Sequence, residues 1–229
     1  MALSEAEIAR YARQLILPGL GEMGQERLRA ARVKVWGAGP LAGPALLYLA
    51  EAGVGAVIVD DPGVVGPADR AGWLHGPSDE GKPRLDLALE AVDAANHFVY
   101  AEPEGRGPGP TAALICLESP EQARAAARIA FEARLPHVVA EVDGEGGSVT
   151  VVPVGGPCFE CSYRPGGDRP GQAAGYAAAS SLAALELVLL LACLTPEPRG
   201  RRLDLLRGHP AARATVRQPG CGCTVGRAP

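Results

Sequence analysis

Only two of the 22 basic residues are lysines, Lys34 and Lys82. The heavy alanine, glycine, proline and arginine content that goes with this says more about a GC-rich genome than about function. Basic patches are missing as well. With a net charge of −4, the chain offers nucleic acid no electrostatic footprint. Six cysteines in 229 residues are too few for a disulfide scaffold, and four of them fall in two close pairs, which favours metal binding in a reducing compartment. The most apolar run, Leu182 to Leu194, carries Glu186 and falls short of the ~20 residues of a bilayer crossing, so it reads as a buried helix and no membrane partner is expected. The N-terminus, Met-Ala-Leu-Ser-Glu-Ala-Glu, lacks the charged and apolar regions of a signal peptide. A cytoplasmic protein is therefore expected. His75, His97, His137 and His209 show no ligand spacing and are expected to be structural or at the surface.

The stretch that organises the rest is Arg32 to Gly43. A β-branched run, Val33 to Trp36, breaks into a glycine turn and then into Pro44 to Ala52, which has helical spacing. Gly37 and Gly39 let the backbone turn sharply and approach a ligand, and Ala42 is small enough for the new helix to pack on a sheet. A helix N-terminus presents N–H groups and partial positive charge to a phosphate. The second strand, Ala56 to Asp61, ends in acid, where a nucleotide-binding unit places a carboxylate on the ribose, and Asp60 is that candidate.

In chain order, Ser4 and Glu7 form a capping box opening a helix through about Gln14. A second helix fits Met23 to Ala31. Pro62 to Pro83 is a long Gly/Pro loop, a functional or remodelled segment. Helical spacing runs from Arg84 to Asn96, followed by a strand at His97 to Ala101. Ala112 to Leu117 is a buried strand, Pro120 to Ala133 its helix, and Val138 to Val142 continues the sheet. This alternation predicts an α/β fold, Rossmann-like, with a mostly parallel sheet flanked by helices. After Gly147 the pattern changes to a strand at Ser148 to Val154, a Gly/Pro loop from Arg164 to Gly171, a long helix to about Leu194 and late strands near Leu203 and Ala214. That predicts a C-terminal antiparallel extension.

Cys158 and Cys161 form a C-x-x-C turn, and Cys221 and Cys223 a tighter C-x-C pair. Four thiolates suit tetrahedral structural zinc, so a zinc knuckle tying the terminus to the sheet is expected. A redox-active or vestigial pair and simple free thiols are the alternatives. Cys116 and Cys193 are expected to be small core residues. Trp36 is expected in the core, and Trp73 as a hydrophobic plug of the remodelled loop. Asp61 either helps bind metal or caps a turn.

Leu3-Ser4-Glu5, Arg10 to Pro18, Gly24-Gln25-Glu26, the Gly37 turn, Pro44 to Gly55 and the two cysteine pairs together resemble the MoeB/ThiF/HesA group, bacterial relatives of ubiquitin-activating enzymes. The likeness spans nearly the whole chain. It implies one domain over 1–229, with an N-terminal helical extension (1–31), a nucleotide-binding unit (32–145) and a carrier-binding and zinc portion (146–229). It also implies ATP and magnesium as cofactors beside structural zinc, adenylation of the C-terminal glycine of a ubiquitin-like sulfur-carrier protein, and a dimer.

Carried over residue by residue, Arg13 matches the arginine that reaches into the neighbouring subunit's ATP, and Asp60 the ribose acid. Between Asp60 and Leu74-His75 the phosphate side departs from the pattern. Ala68 replaces an asparagine and Ala71 the phosphate-binding arginine, which Arg70 replaces only by a one-residue shift. Arg84 stands for a lysine and Glu118 for the magnesium-holding aspartate. Pro40 removes an N–H from the turn. The loop from Arg164 to Ala179 has no thiol for a thioester or persulfide. Losing one charge-assisted phosphate contact costs about 1.5–3 kcal/mol. Three readings follow: an adenylyltransferase using Arg13, Arg84, Glu118 and Arg70; a silent subunit that keeps the fold, the zinc and the dimer surface and offers Arg13 in trans to an intact paralogue; or a non-catalytic binding protein for a carrier tail. The expected dimer is a homodimer or a heterodimer with an intact paralogue.

Overall fold

The computed structural model describes residues 3–144, 146–163, 173–193, 200–205 and 211–224. The loop expected at 164–171, and His209, lie outside them. Two helices precede the sheet. In α1 (Glu5–Leu15) the capping box forms as the sequence predicts: Glu7 N–H donates to Ser4 Oγ at 3.2 Å and Ser4 N–H to Glu7 Oε2 at 2.8 Å. The second helix, α2, spans Gly21–Ala30.

The organising unit is β1 (Arg32–Trp36), α3 (Gly43–Ala52) and β2 (Ala56–Asp60). There follow α4 (Arg84–Ala95), β3 (Tyr100–Pro103), β4 (Ala112–Ile115), α5 (Pro120–Glu132) and β5 (His137–Asp143). The later elements are β6 (Gly146–Val152), the single turn α6 (Phe159–Ser162), α7 (Ala173–Leu191), β7 (Arg201–Leu205) and β8 (Ala211–Ala214). One eight-stranded sheet runs in the order β3-β2-β1-β4-β5-β6-β7-β8. The strands from β3 to β5 are parallel, and β6, β7 and β8 are antiparallel. The expected mixed architecture is therefore the observed one. Chain order reverses between β1 and β4, and in such sheets ligands bind at the carboxyl ends of the strands flanking that switch.

Both faces of the sheet carry helices. One core joins β1, β2, β4, β5 and β6 to α3, α4 and α7 through Val33, Val35, Leu46, Leu49, Leu114 and Leu187. A smaller one packs Trp36, Ile115, Val139 and Phe159 under the alanine stripe of α5. Helix α7 extends further back than the apolar run suggests, because alanines from Ala173 continue it. At 19 residues and a mean hydropathy of 1.7 it is long and apolar enough to cross a membrane. Here it packs on α3, β5 and β6, burying Ala179, Ala183, Ala184 and Leu187.

Three local expectations need correction. The strand expected at 97–101 starts at Tyr100, because buried Asn96 ends α4 with a turn in which Phe98 N–H donates to Asn96 Oδ1. Cys193 is exposed rather than core: α7 stops at Leu191, and Cys193 lies beyond it at φ +55°. Trp73 is 77% exposed at φ +66°, so it plugs nothing.

Candidate functional site

The glycine turn after β1 sits at the switch point. Gly37 has φ +99°, and a methyl group there would come within 2.4 Å of Cys116 O, so only glycine lets the turn lie against the end of β4. A methyl on Gly39 would stand 2.7 Å from Glu118 Oε1. Residues from Gly37 through Leu41 are buried. The turn's donors are largely engaged within the chain. Gly37 N–H donates to Asp60 O, Ala38 N–H to Asp61 Oδ2 at 2.6 Å, and Leu41 N–H to Glu118 Oε1 at 3.4 Å. Ala42 N–H donates to Gly39 O, and Ala45 N–H to Ser180 Oγ at 2.8 Å. Pro40 and Pro44 have no N–H, which leaves Gly39 and Gly43 as the donors without a partner among the described residues.

Side chains around the turn are paired in the same way. Asp61 takes Gly63 N–H on its other oxygen, so it caps rather than offering an open carboxylate. His75 Nε2 lies 2.7 Å from Ala38 O. Arg84 Nη2 donates to Asp69 Oδ2 at 2.9 Å, and its Nη1 lies 3.8 Å from Asp61 Oδ2. Arg70 points to the surface and pairs with Glu80 at 2.9 Å. The Glu118 residue is exposed, yet the protein packed around its carboxyl raises it above the usual range; its own backbone N–H, Leu41 N–H and Arg84 work against that rise.

Asp60, at the tip of β2, meets Lys34 Nζ at 3.0 Å, and Lys34 also pairs with Glu104. The Lys34 ammonium lies 4.1 Å from the centre of the Trp36 ring. Burial alone would raise the Asp60 carboxyl, but hydrogen bonds with Glu104, Lys34 and Trp36 hold it low. Glu104 is pushed up, first by its hydrogen bond to Asp60 and then by burial.

Arg13 lies elsewhere. Helix α1 is fixed to the far ends of α3 and α4: Arg10 donates to Glu51 Oε2 and Ala95 O, Gln14 Nε2 to Glu51 O, and Asn96 Nδ2 to Tyr11 OH at 2.9 Å. Ten helical residues of α3, about 15 Å of rise, separate that end from the glycine turn. The Arg13 side chain is exposed and without a hydrogen bond or ion pair among the described residues.

The four paired cysteines converge. Cys158 Sγ lies 3.8 Å from Cys161 Sγ and 3.4 Å from Cys221 Sγ, and Cys161 Sγ is 3.5 Å from Cys223 Sγ. All four sulfurs fall within 4.8 Å of one another. Tetrahedral zinc at ~2.3 Å from each sulfur would separate them by about 3.8 Å, so the cluster fits that metal. Gln218 N–H donates to Cys161 Sγ and Gln218 Nε2 to Cys161 O. Arg217 holds the second pair in place, donating to Cys223 O at 2.9 Å, Gly155 O at 2.6 Å and Gly156 O at 3.2 Å.

The sites thus divide. Gly37, Gly39, Ala42, Asp60, Arg84 and Glu118 gather at the switch point, with Arg70 at its rim. The cysteines form a separate centre and Arg13 a third location. Sequence reasoning did not single out Lys34, Asp69 or Arg217. Lys34 left a readable signal, a cation between two valines of a central strand. Asp69 and Arg217 left none, since their partners are set by the fold.

A match to the ThiF family covers residues 11–105. HesA of the heterocyst in Trichormus variabilis is 32% identical over 238 residues, which are 96% of this chain and 89% of that protein. The adenylyltransferase and sulfurtransferase MOCS3 of Bos taurus is 35% identical over 246 residues, 96% of this chain and 54% of its own length. MoeZ of Mycobacterium tuberculosis is 46% identical over 99 residues, 43% of this chain and 25% of MoeZ. The chain thus spans about a quarter of MoeZ and half of MOCS3. The crystal structure of E. coli MccB with ATP superposes with a TM-score of 0.81 at 16% identity, covering 96% of this chain and 75% of MccB, which shows a shared fold. The turn at the switch point, the four-sulfur cluster and the near end-to-end likeness to HesA lead to one conclusion: this chain belongs to the ThiF family, within the MoeB/ThiF/HesA group.

Proposed function

We propose that this chain is a supporting, catalytically silent subunit of an adenylating pair that works on the C-terminus of a ubiquitin-like sulfur-carrier protein. One contrast carries the reading. Arg13 is exposed and unpaired among the described residues, while Asp60, Arg84 and Arg70 are already paired at the chain's own site. As it stands, that site does not fit magnesium-ATP: two backbone donors remain in the turn, and the cations are neutralised by carboxylates. On this reading the chain's own switch point carries out no chemistry on a nucleotide.

The contribution of its own residues is positional. Tyr11, Asn96 and Arg10 hold α1, and with it Arg13, at the end of α3 far from the chain's own switch point. In trans, at an intact paralogue, a guanidinium stabilises charge developing on a transferring phosphoryl group. The cysteine centre would hold zinc as a crosslink between the turn after β6 and the C-terminal segment, and zinc there supplies stability rather than chemistry. A reducing, cytoplasmic setting accords with six free cysteines, four of them gathered in one cluster.

The test is ATP–pyrophosphate exchange with purified protein and candidate carrier proteins. None is expected from the chain alone. Exchange appears when the paralogue is added, and Arg13→Ala lowers it by about a hundredfold. Robust exchange by the isolated chain would overturn the reading. A second reading, an adenylyltransferase in its own right using Arg84, Glu118 and Arg70, is favoured by one observation. Arg84 stands near enough to Glu118 to draw its carboxyl down against the burial that raises it.

A further inference from the structure

Among the described residues Arg84 is the cation placed beside the glycine turn, and it is held by an acid from the remodelled loop. Asp69 is fully buried, and its Oδ2 accepts both Arg84 Nη2 at 2.9 Å and Gly66 N–H at 2.6 Å. Both donors converge on the same oxygen, so the pair is built into the loop. Neither group is fully used: Asp69 Oδ1 and Arg84 Nε are buried without a partner among the described residues. A pair serving stability alone would be expected to satisfy those atoms. On the other side of the turn, Glu118 places its carboxylate against Gly39 and accepts Leu41 N–H, where a phosphate oxygen would take that donor.

We propose that Asp69 and Glu118 are internal counter-ions that stand in for a triphosphate, Asp69 withholding the Arg84 guanidinium and Glu118 occupying the turn, so that the site refuses nucleotide. This rests on the silent-subunit reading and names the residues that silence it. The alternative roles for the same side chains have the opposite sign. A Glu118 that served a nucleotide by holding its metal, or an Asp69 that aimed Arg84 at phosphate, would strengthen binding. As counter-ions they weaken it.

Calorimetric titration of the zinc-loaded full chain with Mg-ATP reads that sign directly. Wild type is expected to show no saturation below about 1 mM. Asp69→Asn is nearly isosteric and keeps an acceptor for Gly66, and it is expected to bind roughly tenfold tighter, the scale of one charge-assisted contact. Glu118→Ala, on an exposed side chain, is expected to tighten binding by a similar factor. The gain from Asp69→Asn should vanish when Arg84→Ala is added, which places the effect on that guanidinium. Weaker or unchanged binding in the substituted proteins, or micromolar binding by wild type, overturns the proposal. Should Asp69→Asn fail to fold, judged by zinc content and circular dichroism, Glu118→Ala alone decides the sign. The two levels stay separable. Substitutions that gain no nucleotide affinity sink the counter-ions and leave the supporting role standing, whereas exchange by the unaided wild type sinks the supporting role.

Discussion

Lys34 Nζ reaches 3.0 Å from Asp60 Oδ2, from one parallel strand to the tip of the next. The acid whose position suits a ribose is thus matched by a cation rising from inside the sheet, and Glu104 joins the same ammonium. Lys34→Met is expected to destabilise the fold by about 1 kcal/mol. The figure is modest because Asp60 and Glu104 are partly exposed and solvent screens them. Asp60 is held below its ordinary pKa, so its contribution is present above the unfolded value and lost as pH falls through the folded one. Urea midpoints should therefore differ between wild type and Lys34→Met at pH 7, with the difference shrinking progressively as pH falls below about 4.

Gly37→Ala tests the turn itself. At φ +99°, with Cys116 O 2.4 Å from the added methyl, neither backbone neighbour has room to yield. A loss of about 3 kcal/mol or more is expected in denaturant unfolding, the range of a strained backbone combined with overpacking. An unchanged midpoint would show that β1 and β4 do not meet as described.

The four-cysteine centre makes a quantitative prediction through Arg217. Its guanidinium bridges Gly155 O, Gly156 O and Cys223 O, orienting the C-x-C turn toward Cys158 and Cys161. Metal analysis should find one zinc per chain, and Cys158→Ser should lose it. Arg217→Ala should retain the stoichiometry but weaken affinity about 10–100-fold in chelator competition, the usual scale for a group that orients ligands.

His137 sets an acid limit. It is fully buried on β5, with Nδ1 2.8 Å from Leu135 O and no partner for Nε2 among the described residues, and burial pulls its pKa down to about 4. The unfolded chain takes up the proton near its ordinary value of 6.5 while the folded chain refuses it. Stability should hold above that value and fall as pH drops toward 4, by at most about 3 kcal/mol. His137→Leu should flatten the slope of unfolding free energy in this window; an unchanged slope would assign it to other groups.

Much of this architecture was legible in the chain. The β1–turn–α3–β2 unit follows from local spacing, and the switch to antiparallel pairing follows from the change of pattern near Gly147. The cysteine pairs announced a four-ligand cluster without its geometry. What stayed hidden are pairings at a distance: Arg84 with Asp69, Lys34 with Asp60, Arg217 with three carbonyls. None leaves a periodic trace, because each partner is chosen by the three-dimensional path of a loop or neighbouring strand. The misplaced start of β3 has the same origin. A β-branched and aromatic run at 97–101 favours a strand, but Asn96 is pinned to Tyr11 and Ala50 and imposes its turn first.

That anchoring of Asn96 also bears on assembly. Its amide donates to Tyr11 OH and to Ala50 O, locking α1 to the body of the protein before anything docks. A segment ordered in advance loses little conformational entropy on association, so in the proposed pairing Arg13 would be offered from backbone already in place. Loosening the lock with Asn96→Ala would then slow capture and weaken affinity without touching any residue at the junction.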